Sequence, residues 1–274
     1  ADEFAGFILG KLGATLKQTS SSINLISTEK DDTYDTHPSK SKRLASIETG
    51  FNKATGKETV VYETPTNLQT AEEYFYSAYN KANLKDYYGA IADNTKAIEL
   101  DPNYAQAYFN RGVLKVELKD YYGAVADNTK AIELNPDYAK AYISRGFSKE
   151  KLKDNYGAIA DYTKAIELNP NDADVYYNRG NIKKELKDYK GAIADYTKAI
   201  ELDLNSALAY NNRGVSKYNL KDYYGAIADY NKAIELDPDW AEAYNNRGAA
   251  KHNFGDHKGA IADYTKAIKL DPDW

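Results

Sequence analysis

The chain of 274 residues carries 36 Lys and Arg against 41 Asp and Glu, so it lacks the basic excess that a phosphate-binding nucleic-acid groove requires. It has no cysteine, which excludes disulfides, thiolate nucleophiles and Cys-ligated zinc. No run approaches the ~18 apolar residues of a membrane-spanning helix, and integral membrane contact is not expected.

The sequence opens at Ala1 and contains no Met, which suits a mature exported (periplasmic or secreted) form and a trimmed cytoplasmic one equally. Phe4, Phe7, Ile8, Leu12 and Leu16 form a helical stripe interrupted by Gly6, Gly10 and Gly13. It reads as a short docked helix, with a membrane-surface helix as the alternative. The chain is polar from Thr19 to Arg43, and "SIETGFNKATGKETVVYET" then reads as two short strands about a Gly-containing turn. Residues 1–70 are expected to cap the array that follows, or else to lay their amphipathic helix in its groove. Neither Gly6 and Gly10 before Lys11 nor Gly50 and Gly56 before Lys57 has the spacing, or the following Ser or Thr, of a phosphate loop.

From Ala71 onward the sequence repeats. "GAIADYTKAIEL" begins at Gly157 and again, letter for letter, at Gly191, with near copies at Gly89, Gly123, Gly225 and Gly259, each separated by 34 residues. Six units follow, 71–104, 105–138, 139–172, 173–206, 207–240 and 241–274, as in a solenoid whose units contact only their neighbours. In the fourth unit Tyr189, Ala192, Ile193, Tyr196, Ala199 and Ile200 recur at helical spacing and predict a helix, termed B. Upstream, Tyr176, Gly180, Ile182 and Leu186 predict a shorter helix A. An Asp between the two (Asp86, Asp120, Asp154, Asp188, Asp222, Asp256) is placed to cap helix B. Pro102, Pro136, Pro170, Pro238 and Pro272 stop helix B, whereas the fourth unit has Leu204, where a softer junction is expected. Gly180 with Ala192, and their equivalents in other units, mark the close approach of A and B, which a larger side chain should wedge open. The glycines that open each helix B, Gly89 through Gly259, are expected to cost about 0.5–1 kcal/mol each relative to Ala.

Tyr142, Gly146, Ala158, Tyr162, Ala165 and Pro170 give the third unit a pattern that closely resembles the tetratricopeptide repeat family. The resemblance implies an all-α, right-handed superhelical solenoid of six helix-turn-helix hairpins, preceded by a small segment of mixed or irregular structure, with the A helices lining a concave groove. The chain departs from the family where Leu before Gly becomes Arg111, Arg145, Arg179, Arg213 and Arg247. Helix B offers each a carboxylate, Asp127, Asp161, Asp195, Asp229 and Asp263, so a structural ion pair inside each hairpin is expected, with a ligand-binding arginine as the alternative. The first unit has Ser77 instead, which leaves Asp93 without that partner.

Carboxylates recur in register with the hairpins, as caps and bridges do, and form no single acid-base constellation. His252 and His257 stand five apart, one beyond the spacing that turns two rings to one metal. No catalytic residue, metal or cofactor is expected.

Helix B is nearly constant between units and helix A is not, so what distinguishes the units is written on helix A. Phe75, Phe109 and Tyr177 offer apolar contacts, Lys140 lies at a second-residue position, and Asn110, Asn178, Asn212 and Asn246 share the sixth position. This is similar to the asparagine ladder of O-GlcNAc transferase, whose amides hold the backbone of an extended peptide; the alternative is that they merely solvate the groove. A carboxylate clamp for chaperone tails is not expected, since only Asn110 and Lys140 fit and Phe75, Tyr79 and Ser144 hold the other places. The expected function is a non-enzymatic scaffold that binds a peptide or protein segment in its groove. The alternative is a structural protein that assembles into a homo-oligomer through its C-terminal unit, where Tyr264 and Ile268 present an apolar face.

Overall fold

The computed structural model describes residues 70–272, and the expectations for the segment before them lie outside it. Twelve helices and no strand occur among the described residues. The A helices are α1 (Ala71–Asn83), α3 (Ala105–Glu117), α5 (Ala139–Lys151), α7 (Ala173–Glu185), α9 (Ala207–Asn219) and α11 (Ala241–Phe254). The B helices are α2 (Tyr87–Leu100), α4 (Tyr121–Leu134), α6 (Asn155–Leu168), α8 (Tyr189–Leu202), α10 (Tyr223–Leu236) and α12 (His257–Leu270).

Each helix from α2 onward packs on the next, and the closest neighbours two elements apart are all A helices: α3 with α5, α7 with α9, and α9 with α11. The hairpins therefore stack as a solenoid with the A helices on the inner side of its curve. The core is made locally. Ala124, Ala158, Ala192 and Ala226 on helix B are fully buried, and Tyr162, Tyr196 and Tyr230 are at most 1% exposed. Opposite these rings stand the A-helix glycines: a Cβ on Gly180 would lie 2.9 Å from the Tyr196 ring, and one on Gly214 would lie 2.7 Å from the Tyr230 ring. The first two units put Asn94 and Asn128 at the tyrosine position, and there alone an A helix carries a methyl, Ala78 opposite Asn94.

Both hairpin turns are built from local chemistry. Helix A ends with a Schellman pair, Lys85 N–H to the Ala82 carbonyl and Asp86 N–H to the Lys81 carbonyl, both 2.9 Å. That geometry puts Lys85, Lys119, Lys153, Lys187 and Lys221 in the left-handed region at φ 62–65°, and Gly255 there at 98°. One residue on, each Asp caps helix B by accepting from the Gly N–H three residues ahead at 2.9–3.0 Å. The capping carboxylate occupies the space where a Cβ on that glycine would go. Alanine at these six positions would gain helix propensity but require the capping carboxylate to shift.

Helix B ends in an Asx turn, as when Asn103 N–H donates to Asp101 Oδ1 at 2.9 Å. The junction without proline keeps the same turn, Asn205 N–H to Asp203 Oδ1 at 3.0 Å, and α8 packs on α9. The fold there is not visibly altered, although Leu204 is left 65% exposed.

Candidate functional site: the face of the A helices

The arginines and aspartates that recur sixteen residues apart meet inside each hairpin. Arg111, Arg145, Arg179, Arg213 and Arg247 donate Nε and Nη2 to both oxygens of Asp127, Asp161, Asp195, Asp229 and Asp263, at 2.8–3.0 and 2.6–2.7 Å. Each guanidinium also lies 5.3–5.8 Å from the ring of the tyrosine three residues before it.

Two partners were not expected. A lysine one turn on, Lys115, Lys149, Lys183, Lys217 or Lys251, reaches the same carboxylate at 2.7–2.9 Å. The remaining Nη1 crosses to the preceding unit and donates to Thr95, Thr129, Thr163, Thr197 or Asn231 at 2.7–3.1 Å. Asp93 is not left alone either, since Ser77 Oγ donates to it at 2.6 Å and Lys81 pairs with it at 2.7 Å. Burial pushes the Asp263 carboxyl up, but the hydrogen bonds and charges of Arg247 and Lys251 outweigh this and hold it below the usual carboxylate range. These arginines are committed to the scaffold.

The residues proposed for a ligand divide by how much of their capacity is already used. Asn110 and Asn178 are half-buried and make no side-chain hydrogen bond among the described residues. Asn212, in contrast, donates to Tyr177 Oη at 3.0 Å and to Asn181 Oδ1 at 3.2 Å, and accepts from Lys184 Nζ at 3.0 Å. Asn246 donates to Asn211 Oδ1 at 3.2 Å. The four amides are thus two open and two spent on bonds between neighbouring A helices.

The aromatics are similarly engaged. Phe75 lies 5.0 Å from the Tyr104 ring and Phe109 4.9 Å from the Tyr138 ring, each half-buried against the tyrosine that precedes the next A helix. Burial raises the Tyr138 hydroxyl to about 12. Tyr177 sits 5.9 Å from Tyr196 and lines a recess of about 100 Å³ with Asp174, Ser206 and Leu208, small beside a typical small-molecule site. Lys140 is exposed.

Sequence reading missed Asn181, Lys184, Tyr218 and Asn253, which share this face. Tyr196 Oη donates to Asn181 at 2.7 Å, and Asn253 donates to Tyr218 Oη at 2.9 Å. The positions of Asn181 and of Lys184 and Tyr218 carry a different residue in nearly every unit, which was the available signal. His252 and His257, brought to 5.1 Å by the turn at Gly255, are both exposed. No group of three His, Cys, Asp or Glu able to hold a metal occurs among the described residues, and no helix among them is long and apolar enough to cross a membrane.

Models described as tetratricopeptide repeat match residues 94–126, 173–206, 207–239 and 241–273, and one described as TPR repeat matches 151–186, together more than half of the chain. Among solved structures, the chain is similar to YrrB, described as a TPR protein with an unusual peptide-binding site. The two are 27% identical with a TM-score of 0.62, over 66% of this chain and 93% of that one. It is also similar to MamA from Desulfovibrio magneticus RS-1, at 21% identity and a TM-score of 0.59 over 61% and 95% of the two chains. A tetratricopeptide repeat protein from Parabacteroides merdae is 20% identical with a TM-score of 0.62, over 73% and 79%. At the identities of these last two the likeness is one of fold alone. No curated protein sequence matches the chain.

Proposed function

The chain belongs to the tetratricopeptide repeat family, and we propose that it is a non-enzymatic interaction scaffold that holds an extended peptide or protein segment along the face of its A helices. The observation that carries this reading is the pair of unspent amides, Asn110 and Asn178, at the same position of units two and four on the inner face. A carboxamide offers both a donor and an acceptor to a peptide unit, and these two lack partners among the described residues. The peptide-binding site in the description of YrrB supports the same use of the fold. Asn212 and Asn246 contribute by holding adjacent A helices in register.

Selection from a random peptide display library tests the reading. The whole chain should enrich a shared motif, and Asn110→Ala with Asn178→Ala should weaken the selected peptide about tenfold while leaving the melting temperature unchanged. Enrichment of nothing by the wild type would remove the proposal.

One observation favours a second reading, self-association. On α12, Ile261 and Ile268 are 66% and 57% exposed, whereas Ile227 and Ile234 at the same positions of α10 are half-buried under the next hairpin. Sedimentation velocity should then show mass rising with concentration, and Ile261→Asp with Ile268→Asp should abolish the rise. A monomer at every concentration ends this reading.

A further inference from the structure

The half-buried lysines of the A helices follow one rule with one exception. Lys81, Lys115, Lys149, Lys183, Lys217 and Lys251 each pair with an aspartate at 2.7–2.9 Å. Lys184, adjacent to Lys183 and also half-buried, has no carboxylate within ion-pair distance among the described residues. Its ammonium donates to a neutral acceptor, Asn212 Oδ1, at 3.0 Å.

The surroundings fix that arrangement. Asn212 cannot turn its oxygen elsewhere without losing its Nδ2 bonds to Tyr177 and Asn181, and Asn181 is itself held by the Tyr196 hydroxyl. An ammonium has three donors, and one is used. Burial lowers the Lys184 pKa, while Glu242 and Glu185, both exposed, pull weakly the other way. The charge is therefore kept partly desolvated without a partner, which costs free energy unless an anion completes it.

We infer that the peptide segment held on the A-helix face carries a carboxylate side chain that seats against Lys184, between units four and five. This rests on the proposed scaffold function and adds a chemical requirement to it. Tyr177 Oη and Asn181 hold the other end of the same Asn212 amide and supply the hydrogen-bonding wall of the subsite. Glu185, next to Lys184 on α7, and Glu242 on α11 are both exposed, act on the same ammonium and repel further negative charge, so the preferred segment has one Asp or Glu between neutral residues, not an acidic run.

The test is selection of the whole chain, as wild type, Lys184→Gln and Lys184→Glu, against the same random peptide display library. Wild type should enrich a motif with Asp or Glu at one fixed position. Lys184→Glu should replace that residue with Lys or Arg and leave the rest of the motif in place. In a binding cycle, changing the peptide's acid to its amide should weaken wild type about tenfold and Lys184→Gln not at all. A motif without the acid, or an acid that survives Lys184→Glu, overturns this inference and leaves the scaffold reading standing. Enrichment of nothing by wild type overturns both.

Discussion

Five of the six Schellman turns place a lysine where the backbone needs a left-handed residue, and the sixth places glycine. A side chain at φ near 60° crowds the following carbonyl, a cost of about 1–2 kcal/mol that glycine escapes, offset in part by its greater freedom when unfolded. Lys119 is exposed and pairs with nothing among the described residues, so its substitution isolates the backbone term. Lys119→Gly should stabilise the array by about 0.5–1 kcal/mol, and Gly255→Lys should destabilise the last hairpin by a similar amount. Urea unfolding of the two variants checks both signs. This strain was hidden in the sequence because lysine there reads as an ordinary polar turn residue, and only the backbone angle distinguishes it. The same holds for the glycines of helix B, whose value lies in the carboxylate seated over them.

At the scale of the helix the outlines were legible, because the 34-residue period aligns six versions of each element and the positions that hold in five or six of them identify themselves. The capping aspartates, the close approach of A to B, and the arginine and aspartate sixteen residues apart all belong to that class. What varies was harder to read: whether an asparagine is open or spent depends on which residue the neighbouring A helix brings beside it. Asn178 and Asn212 occupy the same position, yet only Asn212 meets Tyr177, Asn181 and Lys184.

The junction without proline shows the converse, a sequence difference with little structural trace. Asp203 is extended at φ −136° and ψ 97°, as its counterparts before proline are, and the Leu204 N–H enters no hydrogen bond among the described residues. Proline would fit there without strain and would restrict the unfolded chain. Leu204→Pro should therefore raise stability by about 0.4–1 kcal/mol, read as a higher midpoint of unfolding. A loss instead would mean that the leucine side chain holds the junction.

A solenoid has no central core, so its cooperativity depends on what passes from one unit to the next. Here each arginine from unit two onward belongs to two units, since its Nε and Nη2 hold the aspartate of its own hairpin while Nη1 reaches the B helix of the unit before. A lysine in that place keeps the charge but loses the planar fork, and cannot hold Asp195 and Thr163 together. Lys183 already occupies one oxygen of Asp195, which keeps the buried carboxylate compensated in the variant. Arg179→Lys is therefore expected to cost about 1–3 kcal/mol and, more tellingly, to lower the steepness of urea unfolding as units three and four begin to open separately. Hydrogen exchange should speed in α6 and α7 on either side of the lost bond and stay unchanged in α11 and α12. If the transition keeps its steepness and only its midpoint falls, the arginine stabilises its own hairpin without coupling it to the next, and cooperativity must come from the apolar stacking between units alone.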